Sequence, residues 1–575
     1  MKRYLGPVVL TLILCCCASA SAQSSAVAPC PDSGFNGKLA CMLPDIYGRS
    51  TAQGALSGSG DFGNPRHVGH FDNGLAASLG AINGDISQQL GLLPLASPGS
   101  GFSLTFDLAL KTFVTSTDSL GPILSERADT VGKHRLAIGV SYQFFQFDKI
   151  DGVTLSNIPA VYVHNSEPST QGPPGITCSP STTTSNPDQN LAAFTFVPAN
   201  NPQQAPPGSQ IGDCSFVRDR FETQNNIKVH LHQITTYLTF GVTRNLDVSV
   251  VIPYVDVLFG VSSQANIATG TYYADHIFSK GNDGNACPLD NLATPASITT
   301  AQNVDCFQHN FPDNGLSTGS GPASSSAKGI GDVTVRVKDM IWRGERLGIA
   351  AGLDVRFPTG DALNYLGSGA YGVKPFVIAS YHARVAPHAM VGFQANGSTV
   401  TGIGGDLIGT TGTRGQLPNE FVYDVGADAY ATKRLTAAFD IIGQRVFHTE
   451  SLVVNNDQYL APCFNLNFTT NPMYYNQASP NPPASCDVFR QPIAGSGPVQ
   501  YNYFNIDNSK YVASTVTRPN LDTNSGVSTN ITNASMGVKI ALVKRLVLSL
   551  NVLVRLDNGG LHSKAAPMAA LGYTF

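Results

Sequence analysis

The sequence predicts an all-β protein, an antiparallel up-and-down transmembrane β-barrel of about 12 strands with an N-terminal plug-like segment. Three observations predict it. Apolar and polar residues alternate with period 2 in segment after segment from about residue 133 onward. The connections between those segments alternate between short and long. Charged residues make up only 13% of the chain, against roughly 25% in an ordinary soluble domain.

The first residues predict the export route. "MKRYLGPVVLTLILCCCASASA" begins with Lys2 and Arg3, continues as an apolar run from Leu5 to Cys17, and ends with Ala20 and Ala22 framing an A-x-A site. Residues 1–22 therefore read as a cleaved secretory signal peptide, with Gln23 as the first mature residue. Leu14 stands before Cys15, where a lipoprotein signal wants a small residue. No later uncharged apolar run approaches the ~20 residues of a membrane helix. Without the signal the chain carries 33 basic and 39 acidic residues, a formal charge of −6, which points to no nucleic-acid partner.

Residues 23–130 precede the first long strand. They contain a possible short helix, "AASLGAINGDISQQLGLL", and a hairpin-like "GFSLTFDLALKTFVTST". The hairpin arms fall short of the ~9–11 residues that a spanning strand needs. The segment reads as a plug or periplasmic segment; as an extra strand pair it would make the barrel 14-stranded.

The barrel proper is expected over 131–575, with strands at 133–148, 228–243, 246–262, 328–342, 346–358, 370–384, 387–399, 419–432, 434–448, 531–543, 545–557 and 562–575. In the first, Leu136, Ile138, Val140 and Tyr142 share one face, with Gly139, Ser141 and Gln143 on the other. Tight, mostly basic turns such as "GVTRNLDV", "YATKRLTA" and "ALVKRLVL" join alternate pairs. Long extracellular loops rich in Pro, Asn, Ser and Thr are expected at 149–227, 263–327 and 449–530, with shorter ones at "FPTGDALNYLGSGA" and "TVTGIGGDLIGTTGTRGQLPN". A membrane barrel sorts its loops this way because its two rims face different compartments. A Greek-key sandwich does not.

Of 11 cysteines, eight follow the signal. An even count in an exported chain reads as disulfides. Cys178 and Cys214, Cys287 and Cys306, and Cys463 and Cys486 each share one long loop, and Cys30 and Cys41 share the N-terminal segment. Local closure costs least chain entropy, so these four pairs are the expected bridges.

The final stretch, "MAALGYTF", places Leu571, Tyr573 and Phe575 on one face. That stripe resembles the C-terminal signal read by the barrel assembly machinery. The alternative is a buried terminal strand of a soluble sandwich.

With Val333, Val335, Val337, Leu353, Val355 and Phe357 toward lipid, the opposite face carries Asp332, Arg336, Lys338, Asp354 and Arg356. Later strands turn Asp424, Asp428, Asp440 and Lys539 the same way. Charges in a membrane strand must face water, each other or a plug. Arg336, Lys338, Asp354, Arg356, Asp424, Asp428, Asp440 and Lys539 are thus lumen or pathway candidates. The plainer alternative is an ion-pair network that holds the barrel's shape; the two are compatible.

Other patterns carry less. "GSGAYG" fits G-x-G-x-x-G, but a strand containing Pro375 follows it where a phosphate site needs a helix. His230 and His232 share a strand face without an evident third metal ligand, and read as rim histidines. No G-x-S-x-G or H-E-x-x-H occurs. No cofactor and no metal are implied.

"GPILSERADTVGKHRLAIGVSYQ" resembles the opening of outer-membrane barrels linked to the phenol meta-cleavage pathway. "GIGDVTVRVK" and "GLDVRFPTGDALNYLGSGAYGVKP" resemble that family's middle. The resemblance covers most of 121–575 and thins in the long loops. It implies a barrel similar to those that pass fatty acids and aromatic hydrocarbons, and no catalytic residue is carried over from it.

The expected function is passive or facilitated uptake of small molecules, hydrophobic or aromatic ones among them, across the outer membrane of a Gram-negative-type bacterium. The expected partners are outer-membrane lipids, the assembly machinery and a small-molecule solute. The alternatives are an outer-membrane enzyme of lipase or protease type, and a structural barrel whose loops bind an outside partner.

Overall fold

The structure is a computed structural model. It describes residues 30, 37–45, 82–87, 89–90, 104–107, 112–115, 120, 123–163, 220–268, 308–311, 324–402, 405, 413–432, 434–460, 515–543 and 545–575. Among these residues twelve antiparallel strands close into one ring. They are β1 (Leu136–Phe147), β2 (Arg220–Gly241), β3 (Leu246–Ala268), β4 (Val333–Arg343), β5 (Leu347–Phe357) and β6 (Gly372–Tyr381). The ring continues through β7 (Val385–Asn396), β8 (Glu420–Thr432), β9 (Leu435–Leu460), β10 (Thr515–Val543), β11 (Leu546–Arg555) and β12 (Ala565–Thr574). Each strand pairs with its sequence neighbour, and β12 closes on β1 through pairs such as Leu571 with Val140. Closure leaves no free edge in the ring, the condition that lipid imposes on β structure.

The early hairpin does not join that ring. Leu104–Asp107 and Thr112–Thr115 pair with each other in a separate two-stranded sheet. A helical turn over residues 82–87 lies within the stretch read as a short helix.

The sequence boundaries need correction where strands outrun the membrane. β9 and β10 stay paired from Leu435 with Ile540 out to Leu460 with Thr515, so 449–460 and 515–530 of the expected loop lie in paired strands. β2 and β3 likewise pair out to Arg220 with Ala268, inside the expected loops 149–227 and 263–327. Ile158–Val163 pairs along the outer end of β2, and Ser324–Ile330 pairs with the middle of β3 from Tyr254 to Gly260. At 26 and 29 residues, β9 and β10 far exceed the ~9–11 that cross a bilayer. Their outer halves therefore project from one rim.

The outside of the ring is apolar. Every strand presents at least one large exposed hydrophobic side chain; Val140, Ile234, Tyr254, Val377, Phe439 and Leu571 are examples. A band of this extent around a closed ring has no use in water and is what hydrocarbon requires. His230 and His232 also point outward, against Phe144 and Tyr142, with Tyr142 Oη 2.8 Å from His232 Nδ1. The "GSGAYG" stretch is a loop, with Gly369 at φ +69, and leads into β6.

Candidate functional site: the barrel lumen

The inward face divides along the barrel axis. Toward the short-turn rim and mid-barrel it is largely polar, with Ser141, Gln143, Gln233, Thr235, Asp247 and Ser249 all buried on β1–β3. Toward the long-loop rim the same strands turn in Phe145, Phe147, Val229, Val257, Phe259 and Val261. These apolar residues form one cluster with Leu39, Met42, Leu43, Ile82 and Ile86 from the segment before the barrel. Cys30 and Cys41 belong to that cluster and are disulfide-bonded, with a Cα–Cα distance of 5.5 Å. The other six cysteines lie outside the described residues.

All eight charged candidates occupy the inward face and are buried or nearly so. Arg336 on β4 stands directly opposite Asp354 on β5 and grips it bidentately, Nε to Oδ1 at 2.6 Å and Nη2 to Oδ2 at 2.7 Å. Lys374, the partner of Asp354 on β6, adds a second cation at 3.0 Å. This is the cross-strand pairing of unlike charges that stabilises a ladder. Arg356 lies apart, nearer the long-loop rim, donating to Asn396 Oδ1 at 2.8 Å with Asp332 at 3.7 Å. Asp424 keeps one carboxylate oxygen unpaired.

The remaining candidates, with Arg336 and Lys338, meet a segment whose site role the period-2 pattern did not reveal. Leu120 and residues 123–131 precede β1, and most of the polar side chains among them reach an inward partner. Lys338 Nζ donates to Glu126 Oε1 at 2.8 Å and to the carbonyls of Arg127 and Asp129 at 3.1 and 2.7 Å. Glu126 also bonds Arg336. Arg127 forms a fork on Asp428, and Asp129 meets His382 at 2.9 Å. The Ala128 amide donates to Ser380 Oγ and the Val131 amide to Asp247 Oδ2, at 2.8 and 2.9 Å. Lys539 Nζ donates to the Leu120 carbonyl at 3.1 Å. The partners span β3, β4, β6, β8 and β10, so the segment is tied to much of the circumference. The only signal in sequence was the charge density of "SERAD" just before the first strand, which has no periodicity to interpret.

Ser125, His388 and Asp440 bring together the residue types of a hydrolase triad. Their geometry is different. Ser125 Oγ donates to Asp440 Oδ1 at 2.6 Å, and the same nitrogen, His388 Nε2, lies 2.8 Å from Ser125 Oγ and 2.7 Å from Asp440 Oδ1. A triad needs the acid on the opposite ring nitrogen from the serine. His388 Nδ1 faces Asp428 at 3.6 Å, and Arg127 already occupies that carboxylate. The His388 side chain is fully buried. The trio is built as an anchor for Ser125.

A closed, antiparallel ring with an apolar outer band and a charged interior defines the class: a transmembrane β-barrel. Residues 207–445 match the family described as "Putative MetA-pathway of phenol degradation". Over that span the chain matches the family that its motifs resemble. A search of curated proteins finds no match. Among solved structures, the chain is similar to an outer-membrane channel from Pseudomonas putida F1, at 8% identity and TM-score 0.34, covering 78% of this chain and 99% of that one. It is also similar to the toluene transporter TbuX of Ralstonia pickettii, at 10% identity and TM-score 0.21, covering 80% and 94%. The CymD monoaromatic hydrocarbon channel aligns at 8% identity and TM-score 0.22, covering 77% and 88%.

Proposed function

We propose that the protein is an outer-membrane channel for small molecules, with hydrophobic and aromatic ones among its solutes, and that Leu120 and residues 123–131 act as a latch across its lumen. The observation that carries this reading is the pairing of an apolar outer band with an inward face of charges held by a non-strand segment. Charges placed inside a membrane ring serve water or a solute path. Beside the apolar inward patch toward the long-loop rim, which packs against Leu39, Met42 and Ile82, a cavity at Phe145 and Phe147 suits a solute with a hydrophobic body. Arg336, Lys338, Asp354, Arg356, Asp424, Asp428, Asp440 and Lys539 line the path in this reading, and most of them also hold the latch. The long-loop rim faces outward from the cell and the short-turn rim faces the periplasm. Leu571, Tyr573 and Phe575 serve as the assembly signal.

Liposome swelling tests the channel. Vesicles carrying the protein should swell in a graded series of small uncharged solutes faster than empty vesicles. Equal rates would remove the channel reading and return weight to a structural barrel.

A further inference from the structure

Four polar side chains on β1 and β2 form a compact island. Ser141 and Gln143 on β1 lie directly opposite Thr235 and Gln233 on β2. All four point inward and are at most 5% exposed. Each keeps a side-chain oxygen with no hydrogen-bond partner: Ser141 Oγ, Gln143 Oε1, Gln233 Oε1 and Thr235 Oγ1. Buried polar groups are almost always satisfied, so four adjacent exceptions require a reason.

The surroundings narrow the reason. On one side β12 sets Met568 and Ala570 opposite the island, and on the other β3 sets Pro253 and Val255. The next inward pair toward the long-loop rim is Phe145 with Leu231. A cavity of mixed lining begins there, with Phe145, Phe147 and Leu553 on its apolar side and Gln444, Asn533 and Arg555 on its polar side. Below the island, Tyr237 lays its ring over Gly139, where any Cβ would collide with it. The island is thus a small hydrogen-bonding spot within an apolar and aromatic wall.

We infer that this island is a binding site for an uncharged molecule that couples a hydroxyl group to an apolar body. The inference rests on the channel reading and names the chemistry that its path selects. Gln143 Nε2 donates to Met568 Sδ at 3.3 Å, which leaves Gln143 Oε1 to accept. A ligand hydroxyl can donate to a glutamine oxygen and accept from the Ser141 or Thr235 hydroxyl. No charge stands among the four side chains, so an ion finds no countercharge in the island. The apolar body then lies against Phe145 toward the cavity.

Calorimetric titration of the full chain in detergent tests this with two isosteres, benzyl alcohol and ethylbenzene. The wild type should bind benzyl alcohol at least about tenfold more tightly, since a site built for a hydroxyl rejects the analogue that lacks it. In Gln143→Leu/Gln233→Leu the ratio should fall to near one while the barrel still assembles. Ser141→Ala/Thr235→Val should shift the ratio in the same direction, and supplies the reading if the first double variant fails to assemble. Equal affinities in the wild type, binding of neither ligand, or an unchanged ratio in an assembled variant would each overturn the site. Bilayer conductance of the same preparations separates the two ideas. A barrel that conducts without discriminating loses only the island, whereas one that does neither loses the channel as well.

Discussion

Arg127, nine residues before the first barrel strand, closes a bidentate pair with Asp428 on β8, Nε to Oδ1 at 3.1 Å and Nη2 to Oδ2 at 2.5 Å. Both side chains are buried, at 6% and 0% exposure. The pair ties a segment outside the sheet to the far wall of the ring. Removing one partner of a buried ion pair leaves an uncompensated charge and costs roughly 3–5 kcal/mol. Arg127→Ala should therefore lower the denaturant midpoint clearly. Adding Asp428→Asn should recover part of the loss. A double-mutant cycle in guanidinium checks the coupling, and additive effects would show that the pair is not formed.

The register of β4 and β5 makes an opposed pair of predictions. Val335 faces outward beside inward Arg336, so Val335→Lys must place a cation in hydrocarbon, at roughly 2–4 kcal/mol near the midplane. That variant should assemble poorly. Arg356→Ala, on the water side, should assemble normally and change single-channel current or ion preference. Gel migration before and after boiling reports assembly. Normal assembly of Val335→Lys with failure of Arg356→Ala would exchange the two faces.

At the short-turn rim, His382 and Asp129 supply a pH dependence. The Asp129 hydrogen bond, ahead of the opposing effect of burial, raises the His382 pKa above its ordinary value. Burial alone would raise Asp129, but the His382 hydrogen bond and charge outweigh it and hold the carboxyl low. The histidine contribution is fully present below the ordinary value of about 6.5 and is lost as pH rises through the raised value. The aspartate contribution is lost only as pH falls through its own lowered value. The latch should therefore loosen as pH rises through that raised value. Channel opening in the wild type should increase as pH rises from about 6.5, the ordinary histidine value, through the raised one, and His382→Gln should flatten the profile. A profile that rises toward acid instead would contradict the assignment.

Peptide mapping under non-reducing conditions should recover a Cys30–Cys41 bridge, matching the bond in the structure. It should also recover Cys178–Cys214, Cys287–Cys306 and Cys463–Cys486, the local pairings expected from sequence. A bridge between two different long connections would refute them.

The ring was legible in the sequence because lipid and lumen demand opposite side chains at alternate positions. Val335 and Arg336 report their faces without any knowledge of the partner strand. The loop rhythm was legible for a similar reason, since the rims face different surroundings. The outer extensions of β9 and β10 were not. In "SLVVNNDQYL" the period-2 alternation breaks, with Val453 beside Val454 and three polar residues, Asn455, Asn456 and Asp457, in a row, although Leu452 is buried. The latch was hidden for a different reason. Arg127 and Asp428 are 301 residues apart, and the charges of "SERAD" acquire meaning only when the ring closes around them. The glutamine island was half visible. Gln143 sits on the polar face read from the alternation of the first strand, whereas Gln233 shares its face with Val229 and Leu231, and that the two glutamines are opposite one another depends on register.

Leu120 and residues 123–131, tied to strands around the ring, restrain passage through it in the proposed reading. Planar-bilayer recording of the full chain tests it most directly, comparing the wild type with Glu126→Gln/Arg127→Gln/Asp129→Asn, which keeps side-chain size while removing the latch charges. Brief or small openings are expected in the wild type and larger, longer-lived ones in the triple variant. Identical currents from two assembled proteins would contradict it.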